Sequence, residues 1–131
     1  MWFNIDQRSS TPIYQQLVEG VKEAVAKGVL SPGDRMPSVR ELATRIAINP
    51  NTIAKAYQEL EREAVIETLR GRGTFVSTCG NQMGIEEKKK KIAPMLNRIL
   101  VEAYHMQMEE QEMLSLMEET VREWYRERRQ R

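Results

Sequence analysis

The chain is 131 residues long, 40% apolar and 30% charged, which suits one ordinary domain or one small domain with an appendage and excludes a disordered chain. No apolar run approaches the ~20 residues needed to span a bilayer, no signal-peptide pattern opens the sequence, and the single cysteine, Cys79, has no partner within the chain, so a reduced, cytoplasmic setting away from membranes is expected. Net charge is +1, with 10 Lys+Arg against 9 Asp+Glu in residues 1–80 and 10 of each in residues 81–131, so a nucleic-acid role has to rest on where particular residues fall and not on bulk charge.

Thr11-Pro12 predicts a first helix, with Thr11 as cap and Pro12 at the first helical position, followed by Ile13, Leu17, Val21, Ala24 and Val25 at helical spacing and stopped at Gly28. Ser31-Pro32-Gly33-Asp34 reads as a turn. Ser38 and Glu41 have capping-box spacing and open a short second helix with Leu42, Ala43 and Ile46 on its inner face. Asn49-Pro50 opens a third helix, whose apolar stripe is Ile53, Ala56, Tyr57 and Leu60. Only Ala47 and Ile48 separate these two helices, the spacing of a helix-turn-helix, and Ile48 is expected to point inward and pin the turn.

Residues 65–69 and 74–77 are rich in β-branched side chains and flank Arg70-Gly71-Arg72-Gly73, which predicts a β-hairpin. Three helices followed by a hairpin are the order of a winged helix. Residues 79–84 read as a linker, and residues 85–131 as two amphipathic helices, with a helix break near residues 107–109. The fold class expected is therefore mostly α with a small β-hairpin: an N-terminal winged helix-turn-helix over 1–78, then a C-terminal αα-hairpin. The apolar positions Ile92, Leu96, Ile99, Leu100 and Ala103 of one tail helix, and Met113, Leu116, Met117, Val121 and Trp124 of the other, form stripes that two isolated helices cannot bury. The expected partner is the same pair of helices from a second copy, giving a homodimer.

Three ordered blocks carry a family resemblance: residues 28–43 (Gly-Val-Leu-Ser-Pro-Gly-Asp-Arg-Met-Pro-Ser-Val-Arg-Glu-Leu-Ala), residues 48–61 beginning Ile-Asn-Pro-Asn-Thr, and the closing Arg70-Gly71-Arg72-Gly73-Thr74-Phe75-Val76. They resemble the GntR-family winged-helix signature. The Asn-Pro-Asn-Thr variant, the opening Ser10-Thr11-Pro12-Ile13-Tyr14-Gln15-Gln16-Leu17 and the short helical tail resemble its YtrA-like subfamily. The resemblance implies a sequence-specific DNA-binding regulator, a homodimeric repressor of a neighbouring operon, often one encoding an ATP-binding-cassette transporter.

On the third helix, removing the apolar stripe leaves Asn49, Asn51, Thr52 and Lys55 on the outer face. Asn can bond an adenine edge in two places, Thr can offer a hydrogen bond or a methyl group, and Lys55 can reach a phosphate or a guanine. Capping alone also accounts for Asn49. Arg40 lies early on the helix that crosses the sugar–phosphate backbone in this motif, and the family's matching arginine contacts DNA. The resemblance places Arg70, Gly71 and Arg72 at the adjacent minor groove, where arginine is favoured by the negative potential. Pro50 and Ala54 stand where many relatives carry arginine, which implies a different operator. Ala64 stands where the family usually has glycine.

Other features have plainer explanations. The tail methionines suit an irregular core, Lys88–Lys91 a solvated helix start, and Arg126, Arg128, Arg129 and Arg131 the negative end of a helix dipole. His105 is the single histidine, so no cofactor or metal is expected, and no nucleophile–base or phosphate-loop motif suggests an enzyme. The partners expected are double-stranded operator DNA, a second copy and an unidentified small-molecule effector. A protein-docking winged helix without specific DNA binding is the alternative from another class.

Overall fold

The computed structural model describes residues 4–78 and 83–129. Cys79, most of the expected linker and Arg131 lie outside the described residues. The chain divides into two compact units, Met1–Asn81 and Gln82–Arg131, and each is described by itself.

In the first unit α1 spans Ile13–Ala26. Its start differs from the expected one: Pro12 is the N-cap residue, with extended backbone, and Thr11 gives no side-chain cap. Gln16 ties down the entry instead. Its amide donates to the carbonyls of Thr11 (2.8 Å) and Asp6 (2.9 Å), and its oxygen accepts from the Asp6 N–H at 2.8 Å. Gly28, at φ +80°, lets the chain leave the helix, with Val29 and Leu30 donating back to the Ala24 carbonyl.

Helix α2, Val39–Ile46, is capped by Ser38, whose hydroxyl accepts from the Glu41 N–H at 3.0 Å. It ends at Ala47 in the left-handed region (φ 54°), and Ile48 is buried, as the spacing implied. Helix α3, Pro50–Arg62, is capped by the Asn49 side chain, which accepts from the Asn51 N–H at 2.8 Å. Ala64 after α3 has φ +60°, so an L-residue occupies a conformation that disfavours it by about 1 kcal/mol relative to glycine.

Strands β1 (Ile66–Leu69) and β2 (Gly73–Val76) pair antiparallel, with Ile66 opposite Val76 and Leu69 opposite Gly73. The loop is therefore Arg70–Arg72, closed by Arg72 N–H donating to the Leu69 carbonyl at 2.9 Å. The expected turn at Ser31–Asp34 is present, with Asp34 N–H on the Ser31 carbonyl at 3.0 Å. Directly after it the chain pairs with the free edge of β2, which local sequence had not indicated. Val76 N–H donates to the Asp34 carbonyl and Met36 N–H to the Thr74 carbonyl, both at 2.8 Å, so Arg35 pairs with Phe75. Three residues are too few to display the alternation of a strand.

One core holds these elements together. Leu17 and Val21 of α1, Leu42 of α2, Ile53, Ala56 and Leu60 of α3, and Met36, Ile66 and Val76 of the sheet region are all essentially inaccessible. Each large aliphatic side chain so buried contributes about 1.5–3 kcal/mol.

The second unit contains α4 (Ile85–His105) and α5 (Glu110–Arg129). The break has a backbone cause invisible in composition: Gln107 is left-handed at φ +61°, Met108 N–H returns to the Ala103 carbonyl, and the Glu112 carboxylate accepts from Glu109 N–H at the start of α5. Pro94 lies inside α4, removing one helical donor. Among the described residues of this unit only Ala103 and Met113, beside the turn, are buried. Leu96 and Met117 are half-buried, and Ile92, Ile99, Leu100, Leu116, Val121 and Trp124 are exposed. Among the described residues, no helix is long and apolar enough to cross a membrane.

Candidate nucleic-acid interface

Helix α3 has two chemically distinct sides. Ile53, Ala56, Tyr57 and Leu60 are buried against α1, α2 and β1. The opposite side exposes Asn51 and Lys55, leaves Thr52 half-buried, and begins at the exposed cap Asn49. The Asn49 side-chain oxygen is taken by the cap, which leaves its amide group to donate to an anion at the helix start.

Two contacts position this side, and neither was legible locally. The Tyr57 hydroxyl donates to the Pro37 carbonyl at 2.6 Å, tying α3 to the segment that enters α2. Burial, followed by the negative charge of Glu41, pushes that hydroxyl well above its ordinary range, so it stays a neutral donor. The Lys55 ammonium lies over the Tyr14 ring of α1, 4.0 Å from its centroid. The ring attracts the cation without neutralising it. Gln58, exposed one turn further along the same side, was missed as a candidate. Its offset of seven residues from Asn51 was the available signal.

Charge changes character along α3. Its C-terminal half carries acids with partners: Glu59 with Arg62, Glu61 with Thr68, and Glu63 with Lys22 at 3.0 Å. The Arg62 hydrogen bond holds the Glu59 carboxyl below the usual range. The cationic side chains of Arg40, near the start of α2, and of Arg70 and Arg72, in the wing turn, have no ion pair or hydrogen bond among the described residues. Charge is therefore placed unevenly: the acids at the C-terminal end of α3 have partners, whereas the guanidinium groups of Arg40, Arg70 and Arg72 are open to solvent.

Gly71 at the wing tip has φ +80° and open space around it: a Cβ there would meet nothing within 4 Å. Backbone conformation, not crowding within the chain, is what calls for glycine, and the bare tip permits close approach of another backbone.

Residues 13–76 match the family described as bacterial regulatory proteins, gntR family. The chain is 51% identical over 105 residues to the HTH-type transcriptional repressor YtrA of Bacillus subtilis (strain 168), covering 80% of this chain and 81% of that one. The crystal structure of a transcriptional antiterminator from Listeria monocytogenes EGD-e is similar at TM-score 0.79 and 37% identity, over 95% of this chain and 92% of that one. The GntR-family factor YtrA from Sulfolobus acidocaldarius is similar at TM-score 0.56 and 32% identity, over 92% and 97%. With the winged helix-turn-helix, its polar α3 face and these similarities together, the chain belongs to the GntR family and is a YtrA-like, DNA-binding transcription regulator.

Proposed function

We propose that the protein is a cytoplasmic homodimeric repressor that binds a near-palindromic operator. The winged helix (1–78) reads one half-site per subunit, residues 79–84 act as linker, and the tail (85–131) holds two subunits together. The observation that carries this reading is the accessible polar strip from Asn49 to Lys55 on a helix whose other side is locked into the core.

Asn51 and Thr52 face base edges in the major groove, and Lys55 a phosphate or a guanine. The Asn49 amide and Arg40 hold phosphates, and Arg70, Gly71 and Arg72 enter the neighbouring minor groove. In the tail, Ile92, Leu96, Ile99, Leu100, Ala103, Met113, Leu116, Met117, Val121 and Trp124 supply the dimer contact; most are exposed in the single chain. The regulated genes form a neighbouring operon, in this reading a transporter operon of the ATP-binding-cassette type. A small effector acts by binding one spacing of the two heads better than another.

Selection from a random DNA pool at near-physiological salt, followed by sequencing, tests this. The expected result is an inverted-repeat consensus. Arg40→Ala is expected to weaken binding to that consensus about tenfold. Asn51→Ala is expected to relax base preference at one position per half-site, at about 1–3 kcal/mol of discrimination. Retention of full preference by Asn51→Ala contradicts the assigned reading face.

A further inference from the structure

We infer that Arg35 is a phosphate-binding residue at the base of the wing, bridging the helix-turn-helix and the wing turn. The inference rests on the reading of the winged helix as the DNA-contacting head, and it adds a contact outside the recognition helix, the Arg40 region and the wing tip.

Arg35 sits in the short segment paired to β2, held on both sides by Val76 N–H on the Asp34 carbonyl and Met36 N–H on the Thr74 carbonyl. Residue alternation then places Met36 inward, where it is buried, and Arg35 outward beside its partner Phe75. The side chain does not extend freely from there. Its guanidinium lies along the sheet toward the turn, over Gly73: a Cβ on Gly73 would stand 3.7 Å from both Nε and Nη2. Gly73 is therefore the open floor on which the guanidinium rests, level with the Leu69–Gly73 pair that closes the wing turn.

Among the described residues of the head, none pairs with this cation. Arg35 has no ion pair or hydrogen bond among the described residues and is exposed. Glu67, an acid on the same face of the sheet, lies beyond Phe75, two strands away. A guanidinium with an anchored backbone, a preset direction and all its donors free is suited to a phosphate diester, which takes two parallel N–H bonds. Five residues before Arg40 in the chain and directed along the sheet toward the Arg70–Arg72 turn, it suits the strand backbone passing from the groove read by α3 to the one met by the wing.

The probe is a fluorescein-labelled duplex carrying the consensus that the wild-type chain enriches from a random pool, titrated by anisotropy over a series of salt concentrations. Arg35→Met keeps the aliphatic stem and removes the donors. It is expected to weaken binding about tenfold and to lower the log–log salt slope by about one per subunit, with base preference unchanged. Arg35→Lys is expected to retain most of the slope. An unchanged slope in Arg35→Met, whether or not affinity falls, overturns the phosphate contact, because a merely structural role leaves the count of displaced ions alone. A matched loss of thermal stability in Arg35→Met assigns it to the sheet and also overturns it. Failure of the wild-type chain to enrich any sequence overturns the head's assignment as a whole, and is thereby distinguished from failure of Arg35 alone.

Discussion

The two units bury apolar surface in opposite ways. The head draws side chains from three helices and a strand pair into one core, where Leu42, Ile53, Ala56 and Leu60 are wholly inaccessible. The tail has two helices of 21 and 20 residues and buries only Ala103 and Met113 among its described residues. Helix length is therefore no measure of self-sufficiency. A short helix such as α2, with eight residues, is stable because it is covered, whereas long amphipathic helices need a surface from elsewhere to exceed their ordering entropy. A head complete in itself and a tail incomplete in itself suit a regulator whose reading unit is rigid and whose assembly is separate.

That contrast can be broken most sharply by truncating equivalent leucines. Leu60→Ala in the head is expected to reduce unfolding free energy by about 2–5 kcal/mol, measured by denaturant melts. Leu100→Ala in the tail, where the side chain is 46% exposed, is expected to leave the head's melt unchanged. Equal losses at both positions contradict the division of labour.

Charging the tail's open stripe tests its half of the comparison. Ile99→Glu with Leu116→Glu is expected to yield monomers by light scattering. Loss of the linked second head then weakens operator binding by about a hundredfold or more. A dimer that survives both substitutions shows that the contact lies elsewhere.

A smaller effect is expected at the anchor of α3. Tyr57→Phe removes the hydroxyl that serves the Pro37 carbonyl, a loss of about 1 kcal/mol. The sign with pH follows from the raised value, which burial and then Glu41 impose. The neutral hydroxyl's contribution is complete below the ordinary tyrosine value of 10.0 and declines as pH rises through and above it, because the unfolded chain releases its proton first. The stability difference between wild type and Tyr57→Phe should therefore hold up to about pH 9 and narrow as pH rises above about 10. A constant difference contradicts this account.

A change of similar size is a gain. Ala64→Gly relieves the left-handed alanine at φ +60° and is expected to stabilise the head by about 1 kcal/mol, read as a raised melting midpoint with unchanged DNA binding.

Local rules reached far in the head. Ser38 and Asn49 cap where their side chains permit, Gly28 ends α1, and the hairpin falls within one residue of its expected bounds. Each of these is decided by a residue and its near neighbours, so the signal is present in a short stretch of chain. Thr11 shows the limit: a good capping residue yielded to Gln16, whose side chain reaches back across ten residues to Asp6.

The order of elements, the winged-helix pattern and the polar strip of α3 are written in local sequence, because periodicity, caps and turn residues act over a few positions. Long-range packing is what makes residues 34–36 extend the sheet, anchors Tyr57 to Pro37, brings Lys55 to Tyr14 and lays Arg35 over Gly73. Those pairs join residues 20 to 42 positions apart in the chain. Contacts at such separations leave no periodic trace; they form only when the common core brings distant segments side by side.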